Sequence, residues 1–254
     1  MQYARIEWRE NQPYSLDFKD VYFSTDDGLL ETQYVFIKQN DLENRFKNLN
    51  KPTFSIIETG FGTGLNFLAI ADCWLKNAPK SAKLQFISIE KYPLKLADLK
   101  RAHALWPQLS AISHELIEQY PTLKPNCNSF SMAASRIQLA FWACDVKDAL
   151  PAVNQTADAW VLDGFAPAKN QDMWTHEIFE HIARLSINST TFATFTSAGN
   201  VRRGLQTVGF KCTKQVGYGK KREMLSGIFA ETSFANEALT SEIIVNNQLE
   251  SKPL

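Results

Sequence analysis

The chain has 254 residues, of which 44% are hydrophobic and 21% are charged, so it is long enough to bury a core and is expected to form one globular unit. Its 27 basic and 27 acidic side chains give a formal net charge of zero, which argues against a strongly basic nucleic-acid-binding module but not against a local basic patch. There is no N-terminal signal pattern and no apolar run of bilayer length, so we expect a cytoplasmic protein without a membrane anchor.

The cysteine and histidine residues are too scattered for a metal centre or a disulfide framework. The four cysteines include no C-x-x-C pair, and we interpret them as reduced thiols. His176 and His181 are five residues apart and therefore miss the i, i+4 spacing of a helical metal-binding pair. We expect no bound metal.

Residues 1–50 are expected to form an N-terminal extension packed on the core. The segments 6–9 and 21–24 alternate in polarity as strands do, and residues 26–28 have the composition of a turn. An amphipathic pattern predicts a helix over residues 31–48. The extension either covers one side of a ligand pocket or is a surface hairpin with no part in the site.

Residues 54–67 contain the first motif that points to a ligand. An apolar, β-branched run typical of a buried strand ends at Glu58 and is followed by alternating glycines and an apolar helical pattern. A strand that turns through glycines into a helix brings backbone N–H groups and the positive end of the helix dipole to one point. The dinucleotide fingerprint G-x-G-x-x-G is not met, since Leu65 stands where its third glycine would be. The E-x-G-x-G-x-G form resembles motif I of class I S-adenosylmethionine (SAM)-dependent methyltransferases; a nicotinamide or flavin site and a turn without a ligand are the alternatives.

Acidic residues follow two further predicted strands. Strand 84–90 ends in Glu90, where nucleoside-binding α/β folds place an acid that accepts hydrogen bonds from ribose hydroxyls; the alternative is a chance Glu at a strand end. Pro93 is predicted to open the next helix. Strand 136–142, with residues 129–132 as a possible partner, leads to Asp145. Methyltransferases of this class contact adenine there, although Asp145 is equally placed to cap the following helix.

A third predicted strand, residues 160–162, ends in Asp163, and Gly164 then turns the chain. Because ligands bind at the carboxyl ends of strands in an open parallel sheet, we expect Asp163 to face the same pocket as the glycine loop. Asp163 and Phe165 would suit an amine substrate beside a planar base; alternatively, Asp163 caps its own loop. Residues 170 and 172 are candidate caps of the next helix.

The last third predicts a strand over 191–196, a helix over 198–208 and a terminal antiparallel hairpin formed by 210–216 and 224–229. The hairpin loop carries an aromatic and a basic run, namely Tyr218, Lys220, Lys221 and Arg222. Such a cluster can hold a nucleic-acid backbone and stack a base, or it can be a solvated hairpin rim. Residues 231–254 are polar and are interpreted as a tail or linker.

Three segments carry a family resemblance, and they read ETGFGTGLNFL, DAWVLDGFAPAKNQDMW and GYGKKREMLSGIF. They resemble the methyltransferase family called MnmD when free-standing, which forms the N-terminal half of bifunctional MnmC beside a flavin-dependent oxidase. The resemblance runs from about residue 5 to residue 230. It implies a Rossmann-like class I SAM-dependent α/β fold over 51–230, with a mostly parallel sheet and the C-terminal antiparallel hairpin. It also implies methylation of 5-aminomethyl-2-thiouridine to 5-methylaminomethyl-2-thiouridine at the wobble position of tRNA.

The resemblance also assigns site residues. It implies SAM binding by Glu58, Gly60, Phe61, Gly62, Thr63, Gly64, Asn66, Glu90 and Asp145. It makes Asp163 the substrate-side acid, with tRNA as the macromolecular substrate and the oxidase as a partner in the same chain or in trans. Gln171 departs from the family pattern, which usually has proline there.

The expected chemistry needs a neutral amine aimed at the methyl group, so proximity provides most of the rate. Asp163 would accept a hydrogen bond from the amine and pass its proton to water, and Phe165 would shield the site or stack on the uracil. Three rival functions remain open at this point: a nicotinamide oxidoreductase, an aminopropyltransferase-like enzyme or N-methyltransferase acting on another amine, and a catalytically silent RNA-binding protein.

Overall fold

The computed structural model of the chain describes residues 1–24 and 27–230. The predicted polar tail, 231–254, and residue 26 of the predicted turn lie outside the described residues. The strands are β1 (Ile6–Arg9), β2 (Gln12–Ser15), β3 (Asp20–Val21), β4 (Thr53–Thr59), β5 (Lys83–Ile89), β6 (Asn126–Met132), β7 (Ile137–Ala143), β8 (Ala157–Leu162), β9 (Ser186–Thr194), β10 (Phe210–Val216) and β11 (Glu223–Phe229). The α-helices are α1 (Gly28–Thr32), α2 (Leu42–Lys47), α3 (Leu65–Asn77), α4 (Leu96–His103), α5 (Ser110–Gln119), α6 (Val146–Ala152), α7 (His176–Arg184) and α8 (Gly199–Thr207).

An eight-stranded sheet forms the centre of the fold, in the order β10-β11-β9-β8-β4-β5-β7-β6. The strands from β9 to β7 in that order run parallel, β10 and β11 form an antiparallel hairpin, and β6 pairs antiparallel with β7. The α/β fold class with a mostly parallel sheet and a C-terminal hairpin is therefore confirmed, as is the pairing of residues 129–132 with the 136–142 strand.

The central strands are buried on both faces. Every residue of β8 is buried, as are six of the seven residues of β4, which is the pattern of a parallel sheet covered by helices on both sides. The side chains of the two faces contribute to two separate hydrophobic clusters, one containing Ile56 and the other Ile57. Because helices pack on both faces of the sheet, the carboxyl ends of β4, β5 and β8 are held in fixed positions. Among the described residues, no helix combines the length and apolarity that crossing a bilayer requires.

The first 50 residues fold into a small antiparallel sheet, β1-β2-β3, followed by helical segments. The single helix predicted over 31–48 is wrong: the chain forms α1, a π-helical segment Gln33–Lys38, and α2. The break has a physical cause, because buried Asn40 uses its side-chain amide to bond the carbonyls of Phe36 and Trp160, and Asp41 takes a left-handed conformation with φ of 52°. Five residues of these helical segments belong to the main core, namely Leu29, Val35, Phe36, Leu42 and Phe46.

Two predicted helix starts are also wrong. Pro93 does not open α4, because its carbonyl accepts a hydrogen bond from the amide of Ala4 (3.0 Å) and the helix begins at Leu96. After β8, residues Gln171–Trp174 form a 3₁₀ turn, and the hydroxyl of Thr175 caps α7 in place of residue 170 or 172. The first difference comes from the tertiary contact of Pro93 with Ala4. The second comes from the competing cap at Thr175.

Candidate functional site

A cavity of about 560 Å³ lies at the carboxyl ends of β4, β5 and β8, which is the edge where open parallel sheets bind ligands. Its size is ordinary for a pocket that takes a small molecule. The wall is built from the glycine loop, the acidic ends of the strands, the N-terminal 50 residues and the loop of the C-terminal hairpin. Segments from both ends of the chain therefore meet at one site.

The loop between β4 and α3 is held tightly against its neighbours. Gly60 has φ of +97°, and a Cβ there would lie 3.0 Å from the carbonyl oxygen of Asp163. The amides of Gly60 and Phe61 both donate to the carbonyl of Ile89, at 2.8 and 3.2 Å. Glycine is required at residue 60 because the loop touches backbone on both sides. The cavity wall also contains Phe61, Gly62 and Thr63 of the loop and Leu65 and Asn66 of α3, whereas Gly64 caps α3 behind that wall.

Glu90, at the end of β5, lies on the cavity wall beside the glycine loop. Its Oε2 accepts from the amide of Gly62 (2.8 Å) and its Oε1 from the amide of Tyr92 (2.9 Å). Burial raises the pKa of the Glu90 carboxyl to about 7. Because each carboxylate oxygen has two lone pairs, these two bonds leave Glu90 able to accept further hydrogen bonds from hydroxyl groups of a ligand.

Asp145, after β7, combines two roles considered from sequence. It caps α6 by accepting from the amide of Lys147 (3.2 Å), and it also lies on the cavity wall. Its carboxylate is 2.8 Å from the ammonium of Lys91. Although burial acts to raise it, the hydrogen bond from Lys91 helps to hold the pKa of Asp145 below its usual value. The helix cap is thus present, and it does not remove Asp145 from the pocket.

Asp163 enters the same cavity from the end of β8, as the strand-end argument predicted. Its Oδ1 accepts from the amide of Gly164 (2.8 Å), and its Oδ2 accepts from the side-chain amide of Asn66 (2.7 Å). Burial raises its pKa to about 6. The carboxylate is therefore ionised at neutral pH and is held in one orientation by two donors.

Glu58 lies behind the cavity wall and has no exposed surface. Its Oε2 accepts from the hydroxyl of Ser88, and its Oε1 has no hydrogen-bond partner among the described residues. Burial raises the pKa of Glu58 to about 8. Glu58 is therefore mostly protonated at neutral pH, and it packs beneath the glycine loop rather than facing the cavity.

Phe165 is surrounded by aromatic side chains that the sequence reasoning missed. It stacks on Phe18 with ring centroids 4.6 Å apart and meets the edge of Tyr22 at 5.2 Å. An ion pair between Lys169 and Asp20 (3.0 Å) ties the same loop to β3. The N-terminal residues thus form part of the pocket. No local pattern marks them, because their partners lie about 150 residues away.

The basic hairpin loop divides into residues at the cavity and residues outside it. Tyr218, Lys220 and Lys221 lie on the wall, whereas Arg222 does not. The Lys221 ammonium bonds Glu31 of α1 (2.8 Å) and lies 4.2 Å from the centre of the Phe195 ring. Lys221 therefore pairs with Glu31 at the cavity wall while its side chain stays exposed to solvent.

The variant Glu58→Gln is expected to make the folded state more stable in alkaline solution. Folding raises the pKa of Glu58 from 4.5 to about 8, so the folded chain retains a proton that the unfolded chain has lost. The free energy of unfolding contributed by this group therefore falls as pH rises through that interval. Glutamine keeps the shape without the charge, so calorimetry should show a Tm advantage that grows toward alkaline pH. Glu43→Gln, on the exposed face of α2, is the control, and an equal pH dependence of Tm in parent and Glu58→Gln would contradict the assignment.

The sheet order and the glycine loop facing strand-end acids define the class I SAM-dependent methyltransferases. In agreement, a family model described as S-adenosyl-L-methionine-dependent methyltransferase matches residues 107–230. Residues 107–230 thus match this methyltransferase family, and the expected cofactor class is confirmed.

Similar proteins come from several bacteria. The chain is 49% identical over 226 residues to the tRNA 5-methylaminomethyl-2-thiouridine biosynthesis bifunctional protein MnmC of Methylobacillus flagellatus, covering 89% of this chain and 35% of that protein. It is 51% identical over 239 residues to the protein of the same name from Aeromonas hydrophila, covering 91% of this chain and 36% of that protein. The family resemblance predicted from sequence is thereby confirmed. The chain spans about a third of the length of these relatives.

The fold is similar to that of a solved protein. The crystal structure of MnmC2 from Aquifex aeolicus superposes with a TM-score of 0.68 at 21% identity, covering 90% of this chain and 71% of that chain. This similarity supports the fold. The features of the pocket also fit SAM: Gly60 and Gly62 of the glycine loop lie on its wall, Glu90 has free lone pairs for hydroxyl groups, and the acidic side chains of the wall suit a positively charged sulfonium.

Proposed function

We propose that the chain transfers a methyl group from SAM to the primary amine of 5-aminomethyl-2-thiouridine at the tRNA wobble position, forming 5-methylaminomethyl-2-thiouridine. One observation carries the proposal: the Asp163 carboxylate lies in the same cavity as the glycine loop and Glu90. A carboxylate at that place suits an amine acceptor. The names of the similar proteins, which specify biosynthesis of this nucleoside, support the same substrate.

Asp163 acts by accepting an N–H of the amine, which turns the nitrogen lone pair away from the carboxylate and into the cavity. When bound, SAM supplies a methyl group on a positively charged sulfonium, and its transfer breaks the C–S bond as the C–N bond forms. The amine proton leaves to Asp163 or, through it, to water. The pKa of about 6 leaves Asp163 ionised at neutral pH, so it can take this role. Holding the two reactants in line contributes most of the rate.

Proposed contacts to the tRNA lie on the hairpin loop at the mouth of the cavity. Tyr218 lies on the cavity wall and can stack on a base, and exposed Lys220 lies beside it. Exposed Arg222 lies just outside the wall, where it can reach a phosphate. Lys221 is also exposed and is proposed to contribute to the tRNA-facing loop, where its ion pair with Glu31 holds it in position. Phe165, between Phe18 and Tyr22, is proposed to shield the amine from water.

The remaining assignments follow from this substrate. Glu90 is proposed to bind the ribose and Asp145 the adenine of SAM, with Gly60, Phe61, Gly62, Thr63 and Asn66 around its methionine part. A flavin-dependent oxidase, in a longer chain or in trans, is the proposed partner in the same tRNA modification, and the cytoplasm is the proposed location. Among residues 1–24 and 27–230, no group of three His, Cys, Asp or Glu side chains is placed to hold a metal ion.

The direct test uses the purified chain, SAM and tRNA from a strain that lacks this methyltransferase. Nucleoside mass analysis should show 5-aminomethyl-2-thiouridine converted to a product heavier by one CH₂ unit. Fully modified tRNA is the control and should accept no methyl group. Methyl or aminopropyl transfer to small free amines, with none to the tRNA, would assign the chain to another amine substrate and overturn the proposal.

A further inference from the structure

A buried hydrogen-bond chain connects the N-terminal segment to the substrate-side acid. The hydroxyl of Thr32, in α1, donates to Oδ1 of Asn66 at 2.8 Å. The side-chain amide nitrogen of Asn66, in α3, donates to Oδ2 of Asp163 at 2.7 Å. Thr32 is 4% and Asn66 is 6% exposed. Three segments far apart in sequence are therefore joined by one series of hydrogen bonds, which ends on the Asp163 carboxylate.

The direction of this chain depends on the orientation of one amide. An Asn side chain can place either its oxygen or its NH₂ group toward a neighbour. Only the observed orientation offers a donor to Asp163, because the reversed amide would set its oxygen against a carboxylate oxygen. Thr32 favours the observed orientation by donating to the amide oxygen, and hydrogen bonds in series polarise one another.

We propose that Thr32 is a positioning residue for methyl transfer, which acts by holding the Asn66 amide so that Asp163 is aimed at the amine. The proposal rests on the proposed function for its kinetic readout. It assigns a role in the chemistry to the N-terminal segment, in addition to its role as a wall of the cavity. Thr32 lies on the cavity wall, and the role proposed for it is exerted through Asn66.

The electrostatic setting of Asp163 makes the Asn66 donor important. Burial raises the pKa of Asp163, and so does the negative charge of Glu31 on α1, while Gly164, Asn66 and Lys221 lower it. Glu58 and Glu90 also interact with Asp163 through charge, from the ends of β4 and β5. If Asn66 turns away, one of the few groups that favour the ionised form is lost. The pKa of Asp163 then rises, and the acidic limb of activity moves to higher pH.

The test compares Thr32→Val, which keeps the shape but removes the hydroxyl, with Thr32→Ser, which keeps the hydroxyl. Thr32→Val should lower kcat on the order of tenfold, the value expected for one buried hydrogen bond, and shift the acidic limb of the kcat–pH profile upward. Thr32→Ser should restore both, and kcat is measured at saturating SAM, so that a change in SAM affinity through Asn66 does not enter it. Thr207→Val is the matched control, because the Thr207 hydroxyl bonds its own helix backbone (2.9 Å) on the exposed face of α8.

Two further measurements separate this proposal from folding defects and from the proposed function. In the Asn66→Ala background, adding Thr32→Val should change kcat no further, because Thr32 acts only through Asn66. A ¹³C NMR titration of the Asp163 carboxylate without SAM or tRNA should show a higher pKa in Thr32→Val than in the parent, so it decides the matter even if the tRNA assay fails. The proposal is overturned if the pKa of Asp163 is the same in Thr32→Val as in the parent. It is also overturned if kcat falls in Thr32→Val and Thr32→Ser alike, in proportion to the loss of Tm.

Discussion

Asp163→Asn is expected to lower kcat for methylation of tRNA by about a hundredfold or more, the usual contribution of a positioned acid or base. The neutral amide cannot carry the charge that orients the amine or take its proton. The SAM dissociation constant should stay within about twofold, because the glycine loop and Glu90 are untouched. Single-turnover methyl transfer measures the first quantity, and calorimetric titration with SAM measures the second.

The matched control is Asp148→Asn on the exposed face of α6, which should leave both quantities unchanged. Full activity in Asp163→Asn would remove Asp163 from the chemistry. Loss of SAM affinity in step with kcat would move Asp163 to the cofactor side of the pocket. Either result would require another residue on the cavity wall to position the amine.

Gly60→Ala is expected to reduce SAM affinity at least tenfold and to destabilise the fold by about 1–3 kcal/mol, the cost of a strained left-handed residue. Its φ is +97°, and the new methyl group would lie 3.0 Å from the carbonyl oxygen of Asp163. That carbonyl also accepts the hydroxyl of Thr59 at 3.0 Å, so neither β4 nor the end of β8 can yield independently. Calorimetric titration with SAM and thermal unfolding measure the two effects.

Gly62→Ala provides the comparison for this collision. Its φ of +54° is also left-handed, but a Cβ there would meet only the ring of Tyr22, at 3.2 Å. A side chain can turn aside where a backbone carbonyl cannot, so Gly62→Ala should lower Tm less than Gly60→Ala. Equal losses of Tm would show that backbone strain alone, and not contact with Asp163, makes glycine necessary at residue 60.

Much of the candidate site was predictable because its acids follow one topological rule. Glu90 and Asp163 end parallel strands and Asp145 closely follows one, and the carboxyl ends of such strands meet at one edge of the sheet. Alternation and apolar runs located those strands from short windows of sequence. Glu58 obeys the same rule in sequence but lies behind the wall, because which way a strand-end side chain points depends on the twist of the sheet and on packing beneath the loop.

The amino-acid sequence by itself determined the sheet, the glycine loop and the acids at the strand ends, because these depend on periodicity and turn chemistry within about ten residues. Only the tertiary structure decided that Phe18 and Tyr22 enclose Phe165, that Lys221 pairs with Glu31, and that Thr32 reaches Asp163 through Asn66. These contacts join segments up to 190 residues apart. The sequence around one residue of such a pair does not predict its partner, because long-range contacts depend on how whole helices and strands pack.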